Sequence, residues 1–178
     1  IGIYKQCRKK WLKMFKVKDN FLSKKEFNEL YNSIFDIENQ FPWFWFDFKE
    51  QTKNYKNDLT QYQCCHVFYN LGVSQSHHYS IINSLLKKLK FKYLIKAKIN
   101  LNPYSEKLSK GYFHIDQPHC TTAIFYLNTN NGYTLFENNK KINSKENRIV
   151  IFNSNLKHTG TNTTNKKFRS VINLNYVV

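Results

Sequence analysis

The spacing of apolar residues changes near residue 91, from a helical period to a strand period. Upstream, Phe27, Leu30, Tyr31, Ile34 and Phe35 fall at i, i+3, i+4, i+7 and i+8, one face of a helix. Ser23-Lys24-Lys25-Glu26 forms a capping box ahead of them: the Ser hydroxyl accepts from the third helical amide while the Glu carboxylate reaches back to the cap amide. Leu22 and Phe27 occupy the staple positions, and the helix is expected to run to about Glu38. Ile81, Ile82, Leu85, Leu86 and Leu89 predict a second helix from Tyr79 to about Leu89. Residues 1–20 read as a basic helix with Trp11, Leu12, Met14 and Phe15 as its buried stripe. Phe41 to Phe48 is an aromatic run, read as a strand or extended segment packed in the core, with a stacking surface for a substrate as the alternative. Residues 49–60 read as a loop, and Gln63 to Leu71 is β-rich.

Downstream, Tyr93 to Leu101 alternates Lys with apolar residues, the pattern of a half-buried strand. Short strands follow at Gly111–Asp116, Thr121–Asn128, Tyr133–Phe136, Arg148–Phe152 and Phe168–Val178. Asn130-Asn131-Gly132 reads as a hairpin-type turn, and 153–155 and 159–165 as loops. Helices followed by seven or eight strands predict a mainly β, α+β fold whose C-terminal part is a sandwich or barrel. With 178 residues, one domain is expected, in which 1–91 is a helical and extended support region and 92–178 the core.

Composition narrows the class. Hydrophobic residues at 41% and aromatics at 17% exclude a disordered chain. No run approaches the ~18 apolar residues of a spanning helix, so no membrane partner is expected. Four Cys in a chain of this length do not make a disulfide scaffold and suit a reducing, intracellular, cytoplasmic setting. The sequence opens on Ile1 with no initiator Met and no signal peptide, as a processed or excised start would. The net charge of +16 favours polyanions such as nucleic acid. Yet the cations are nearly all Lys, beside 23 Asn, as an A/T-rich coding bias would scatter them. Two clusters stand out: Lys5, Arg8, Lys9, Lys10, Lys13, Lys16 and Lys18, and Lys87, Lys88, Lys90, Lys92, Lys96 and Lys98.

Candidate chemistry lies among the six His. His66 follows Cys64-Cys65 with no second Cys pair to complete a zinc site, so these three read as strand or core residues. His77-His78 reads as a solvated turn. His114-Ile115-Asp116 places a His and an Asp two apart at a strand end, on one face. His158 follows the Arg148–Phe152 strand. Two His and one carboxylate are the facial triad of non-haem Fe(II) oxygenases, with three coordination positions left open. Arg169 opens the last strand, where it can bind a carboxylate bidentately. Pro118 turns the chain away before His119, which reads as a pocket-rim residue; Arg148 reads as structural or rim-facing and Cys120 as a buried thiol.

In this order the elements resemble the Fe(II)/2-oxoglutarate-dependent dioxygenases, specifically the prolyl-hydroxylase-like group and small phage-type oxygenases, over residues 92–178 with a weaker echo at Phe41-Pro42-Trp43. The resemblance implies a double-stranded β-helix, or jelly roll, with N-terminal helices packed on it. It carries over His114, Asp116 and His158 as iron ligands, Arg169 as partner of the far carboxylate of 2-oxoglutarate, and Tyr126, just before Leu127-Asn128, as support for that carboxylate. One of Asn100 and Asn102 is expected to face the interior and help seat the co-substrate. Gly160 fits the family's His-x-Gly pattern. The implied cofactors are Fe(II), 2-oxoglutarate and O2. The implied reaction is hydroxylation of an unactivated C–H bond coupled to decarboxylation of 2-oxoglutarate to succinate and CO2. A peptidyl, prolyl-type or amino-acid side chain is the favoured substrate, and a virus-encoded enzyme acting in a host cell fits the phage-type likeness. Alternatives are a nucleic-acid-directed oxygenase and a non-catalytic basic jelly-roll module. The last strand lacks the Asn two residues after Arg169, and the second Arg, that alkylated-base demethylases carry there.

Overall fold

The computed structural model of the chain describes residues 15–46 and 62–178. Eleven strands and two α-helices are found there: β1 (Phe15–Lys18), α1 (Lys24–Phe35), β2 (Phe44–Phe46), β3 (Gln63–Asn70), β4 (Val73–Ser74), α2 (Asn83–Lys88), β5 (Tyr93–Pro103), β6 (Thr121–Tyr126), β7 (Tyr133–Phe136), β8 (Lys141–Asn143), β9 (Arg148–Asn153), β10 (His158–Gly160) and β11 (Phe168–Val177). They form a large sheet in the order β1-β9-β6-β11-β5-β3-β2, with β4 paired to β3, and a small sheet in the order β10-β7-β8. Every paired strand is antiparallel. Two antiparallel sheets with helices on one outer face make the expected jelly roll.

Side-chain parity explains the layers. On the large sheet, Ala97 and Ile99 of β5, Ala123 and Phe125 of β6, and Ile172 and Leu174 of β11 pack in one core cluster with Leu30, Ile34, Leu85 and Leu86 of the helices. The opposite parity faces the small sheet: Ile124, Tyr126, Val150, Phe152 and Val171 pack against Phe136 and Ile142. Because successive strand side chains point to opposite faces, β6 is buried on both sides and reads as an unbroken apolar run from Ala123 onward. On β5 and β11 the inward parity carries Lys96, Lys98, Asn100, Asn102, Arg169, Asn173 and Asn175, and there the space between the sheets is a cleft.

The α1 capping box forms as expected: Glu26 N–H donates to Ser23 Oγ at 3.3 Å and Ser23 N–H to Glu26 Oε2 at 2.8 Å. Several expectations need correction. The basic helix over 1–20 is not seen at its described end: residues 15–18 are a strand that pairs with the edge of β9, where Phe15 packs on Phe136 and Phe152. The rest of that reading, with most of the first lysine cluster, lies outside the described residues, as does the whole of the loop read at 49–60. The second helix begins as a 3-10 turn, His77–Ile82, because Ser76 Oγ captures the His78 amide two residues on, and only Asn83–Lys88 is α-helical. Gly111–Asp116 is not a strand; it meets β10, which is three residues long, through the Gly111 N–H donating to Gly160 O at 3.0 Å and the His114–His158 bridge. Asn130–Gly132 does not close a hairpin: it carries the chain from the large sheet to the small one, with Gly132 N–H donating to Asn130 Oδ1 at 2.9 Å. In the aromatic run, Phe41 is buried but Phe44, Trp45 and Phe46 are 57%, 59% and 49% exposed on edge strand β2, so core packing holds for only part of it; Asp47 and Phe48 lie outside the described residues. β8 and β10 have no counterpart in the sequence reading.

Candidate metal and 2-oxoglutarate site

The three candidate metal ligands come from two segments bridged to each other. His158 begins β10 and is nearly fully buried, with its ring between Phe152 at 5.0 Å and Phe136 at 6.0 Å. His114 exchanges both backbone hydrogen bonds with His158, each 3.0 Å, which fixes the loop holding His114 and Asp116 against β10. Each ring Nδ1 lies against a backbone carbonyl two residues upstream: His114 to Tyr112 O at 3.0 Å, and His158 to Leu156 O at 3.2 Å. Each ring thereby turns Nε2 toward Asp116, at 3.4 Å from Oδ1 for His114 and 3.7 Å from Oδ2 for His158. Backbone contacts of this kind fix the tautomer of a metal-binding His.

The donor set fits a divalent metal. One ligand atom from each residue lies within 4.8 Å of the others. Asp116 Oδ2 is buried with no hydrogen-bond partner, a costly arrangement unless a cation completes it. Burial pushes the Asp116 carboxyl up, but the His114 hydrogen bond and the nearby His158, His114 and Lys96 charges outweigh it and hold it below the ordinary carboxylate range. The carboxylate is therefore present as an anionic ligand.

Along the same cleft lies Arg169, 2% exposed. Its Nε donates to Ser144 Oγ at 2.9 Å, Nη2 to Thr134 Oγ1 at 3.1 Å and Nη1 to Thr161 O at 3.4 Å. Among the described residues no carboxylate pairs with it, so a buried cation is held by neutral acceptors alone, and burial lowers its pKa. Gly160 keeps the space beside it open: a Cβ there would lie 3.2 Å from Arg169 Nη1. At Gly132 a Cβ would collide with the Asn162 carbonyl and sit 2.6 Å from Arg169 Cδ. A preformed cationic pocket edged by glycines fits a ligand carboxylate.

The structure thus brings His114, Asp116, His158, Arg169, Asn100 and Asn102 to one cleft of about 720 Å³. Tyr126 stands behind it, fully buried, its hydroxyl donating to Thr134 Oγ1 at 2.8 Å while the guanidinium of Arg169 lies 5.7 Å from its ring centroid. Thr134, which lines the cleft, and Ser144, which anchors Arg169, escaped the sequence reading; neither sits in a distinctive motif. Lys96, Lys98, Asn173 and Asn175 also escaped it, although they share strand parity with Asn100 and Arg169, and that signal could have found them. Two outlying residues behave as expected: His66 is a core residue, its nitrogens against Pro42 O at 2.9 Å and Ser76 Oγ at 2.7 Å, and Arg148 is structural, bonding Asp19 at 2.6 Å; His119 is exposed and does not line the cleft. His78 departs from a solvated turn, packing on Phe41.

No protein-family model matches the sequence, and no curated protein does. Solved structures do. A prolyl hydroxylase from Trichoplax adhaerens, in complex with a peptide fragment of the hypoxia inducible factor oxygen degradation domain, superposes with a TM-score of 0.59 at 18% identity, covering 92% of this chain and 83% of its own. The viral collagen prolyl hydroxylase of Paramecium bursaria Chlorella virus-1, in its 2-oxoglutarate complex, gives 0.59 at 15% identity over 93% and 96%. A non-haem, 2-oxoglutarate-dependent epimerase of nogalamycin biosynthesis gives 0.61 at 12% over 92% and 77%. At these identities the likeness is one of architecture: the chain has the fold of the prolyl hydroxylases and other 2-oxoglutarate/Fe(II) oxygenases.

Proposed function

We propose that this chain is an Fe(II)- and 2-oxoglutarate-dependent dioxygenase that hydroxylates an unactivated C–H bond of a peptidyl side chain, of prolyl type. The observation that carries the reading is the convergence, in one cleft, of the His114–Asp116–His158 donor set and the buried, carboxylate-lacking Arg169. His114, Asp116 and His158 would hold the iron. When bound, the metal supplies the oxidising chemistry, coupling the reduction of O2 and decarboxylation of 2-oxoglutarate to oxygen insertion into the substrate. The chain's own groups bind, orient and exclude water. Arg169 and Thr134 take the far carboxylate of 2-oxoglutarate, and Tyr126 supports them from behind. Asn100 Oδ1, buried with no partner, faces the same space and is positioned to order the co-substrate, with Asn102 beside it. Phe136 and Phe152 wall His158 from solvent. The peptidyl substrate is supported by the solved prolyl hydroxylases of this fold, one of them holding a peptide. A reducing compartment suits both Fe(II) and the free thiols of Cys64, Cys65 and Cys120.

The reading is tested by incubating the protein with Fe(II), 2-oxoglutarate, O2 and proline-containing peptides, and following succinate together with a hydroxylated product by mass spectrometry. Succinate formation that requires both Asp116 and Arg169 is expected. Absence of 2-oxoglutarate binding and of succinate in the presence of Fe(II) overturns the reading.

A further inference from the structure

Lysines at strand positions usually sit in solvent, yet two of those on β5 do not. Lys96 and Lys98 are both part-buried and line the cleft, on the parity of Asn100 and Asn102. The rest of their sequence cluster goes elsewhere: Lys88 bonds Glu26 of α1 at 3.1 Å, on the helix-covered side of the sheet. Register orders the cleft wall. Asn102 lies opposite Arg169, Asn100 opposite Val171, Lys98 opposite Asn173, and Lys96 opposite Asn175. The two lysines therefore stand at the end of the cleft away from Arg169.

No carboxylate among the described residues pairs with either. Lys98 is held instead against the Cys65 thiol and over the Phe46 ring, 5.2 Å from Nζ to centroid, and its burial depresses its pKa. The cleft lining holds three cations, Lys96, Lys98 and Arg169, and one carboxylate, Asp116. A divalent metal and a 2-oxoglutarate dianion cancel each other, and Asp116 offsets one of the three cations. Two positive charges remain in the loaded site. Beside them Asn173 Oδ1 is buried without a partner, so this end keeps groups that an incoming molecule could satisfy.

We propose that Lys96 and Lys98 form a substrate subsite for a polypeptide that carries carboxylate side chains next to the residue to be oxidised. This deepens, and rests on, the oxygenase reading above. The lysines are two residues apart on one strand, about 6.6–6.8 Å, and an extended peptide presents alternate side chains at the same interval. Asn173 and Asn175 opposite them offer both donors and acceptors, which suit peptide groups. Carboxamides without a track of further cations fit a phosphate backbone less well. Phe46, exposed on the neighbouring edge of the sheet, supplies an apolar platform where such a segment leaves the cleft.

The test uses the full chain loaded with Mn(II) and 2-oxoglutarate, and three labelled proline-containing peptides that differ only in having Glu, Gln or Lys at the residues flanking proline. Binding is read by fluorescence anisotropy. The Glu peptide is expected to bind at least about tenfold more tightly than the other two, the scale of one charge-assisted contact. Lys96→Glu/Lys98→Glu is expected to reverse the order of the Glu and Lys peptides. Failure of the Glu peptide to outbind the others with the unsubstituted protein, including failure of all three to bind, overturns the subsite. So does a well-folded charge-reversed variant that keeps the original order, with folding checked by thermal melting. A single-stranded oligodeoxythymidylate that binds more tightly than the Glu peptide at physiological salt also overturns it, in favour of a nucleic-acid substrate. Metal and 2-oxoglutarate binding are measured in parallel on the unsubstituted protein: their absence sinks the oxygenase reading itself, whereas their presence beside unselective peptide binding sinks the subsite alone.

Discussion

At the Arg169 end of the cleft the polar groups are already matched. Ser144, Thr134 and Thr161 receive the guanidinium, and Tyr126 braces Thr134. Toward the Lys96 end, Asn173 keeps a buried carbonyl oxygen without a partner among the described residues, and Lys96 and Lys98 share the cleft with one carboxylate, Asp116. Both ends lie on the same two strands, β5 and β11. On the proposed reading, their difference is how one sheet would serve two ligands. A fixed anion is best met by rigid donors set in advance, so that little ordering is required when it binds. A larger, separate molecule is met by groups left open for it. Asp116 and the two His, the donor set proposed to hold the metal, line the same cleft.

The largest effect is expected where the two ends meet. Asp116→Ala removes the one anionic donor of the triad and should reduce 2-oxoglutarate turnover to background, with metal affinity measured by calorimetry falling in parallel and the circular dichroism spectrum unchanged. Near-normal turnover would remove the centre on which the contrast depends.

Arg169→Gln probes the closed end. Charge-assisted hydrogen bonds contribute about 1.5–3 kcal/mol each, so losing a two-pronged contact should weaken 2-oxoglutarate binding by roughly a hundredfold while metal affinity changes little. Because the buried cation has only neutral partners, 2-oxoglutarate should also raise the Tm of the unsubstituted protein, and that rise should vanish in the variant. Retained 2-oxoglutarate affinity would move the anchor to the lysine end and reverse the assignment of the two ends.

Glycine substitutions sharpen the contrast at a finer scale. In Gly160→Ala the new methyl must displace Arg169 Nη1 from 3.2 Å, and 2-oxoglutarate affinity should drop by about threefold to tenfold with the fold retained, since such crowding costs on the order of 1 kcal/mol. Gly132→Ala meets the Asn162 backbone as well as Arg169 Cδ, so it should lower both Tm and 2-oxoglutarate affinity. Unchanged 2-oxoglutarate affinity in Gly160→Ala would mean that the space beside the guanidinium is not reserved.

The smallest effect lies outside both ends. Ser23→Ala removes the α1 cap and should lower Tm by about 2–4 °C without changing 2-oxoglutarate affinity. Its pH dependence has a definite sign. The Ser23 hydroxyl and amide, followed by Lys88, pull the Glu26 carboxyl down from 4.5 to about 2. A depressed carboxylate pKa adds stability that is complete above about pH 4.5 and lost as pH falls toward 2. The gap in Tm between variant and parent should therefore narrow over that range; a gap independent of pH would show that Glu26 does not take part in the cap.

Much of the site was legible because its residues sit at short, fixed spacings. His114 and Asp116, the later His158 and the opening Arg169 of the last strand name a candidate metal site and a candidate anion site in order along the chain. The reading of Gly111–Asp116 as a strand failed even though its conclusion about facing side chains held. A loop pinned by one bridge to β10 presents both residues as a strand would. Lys96 and Lys98 stood out as part of a lysine cluster but not as cleft residues, because alternation says which residues share a face and leaves open which face that is. The aromatic run misled in the same way: Phe44–Phe46 has the composition of a core strand but lies on an edge that the helices do not cover.

The sequence by itself determined the local elements and the chemical inventory. The α1 cap, the period of each strand and the His-x-Asp, His and Arg order depend on neighbouring residues, whose geometry is set by backbone dihedrals and hydrogen bonds within a few positions. Only the tertiary structure decided which parity of β5 and β11 faces the small sheet, how Thr134 and Ser144 reach Arg169, and that β1 closes the edge of β9. Those outcomes join residues up to 137 positions apart, as in the Phe15–Phe152 pair. They follow from the register and packing of whole sheets, where burying β6 on both faces leaves β5 and β11 to line the cleft with their polar side.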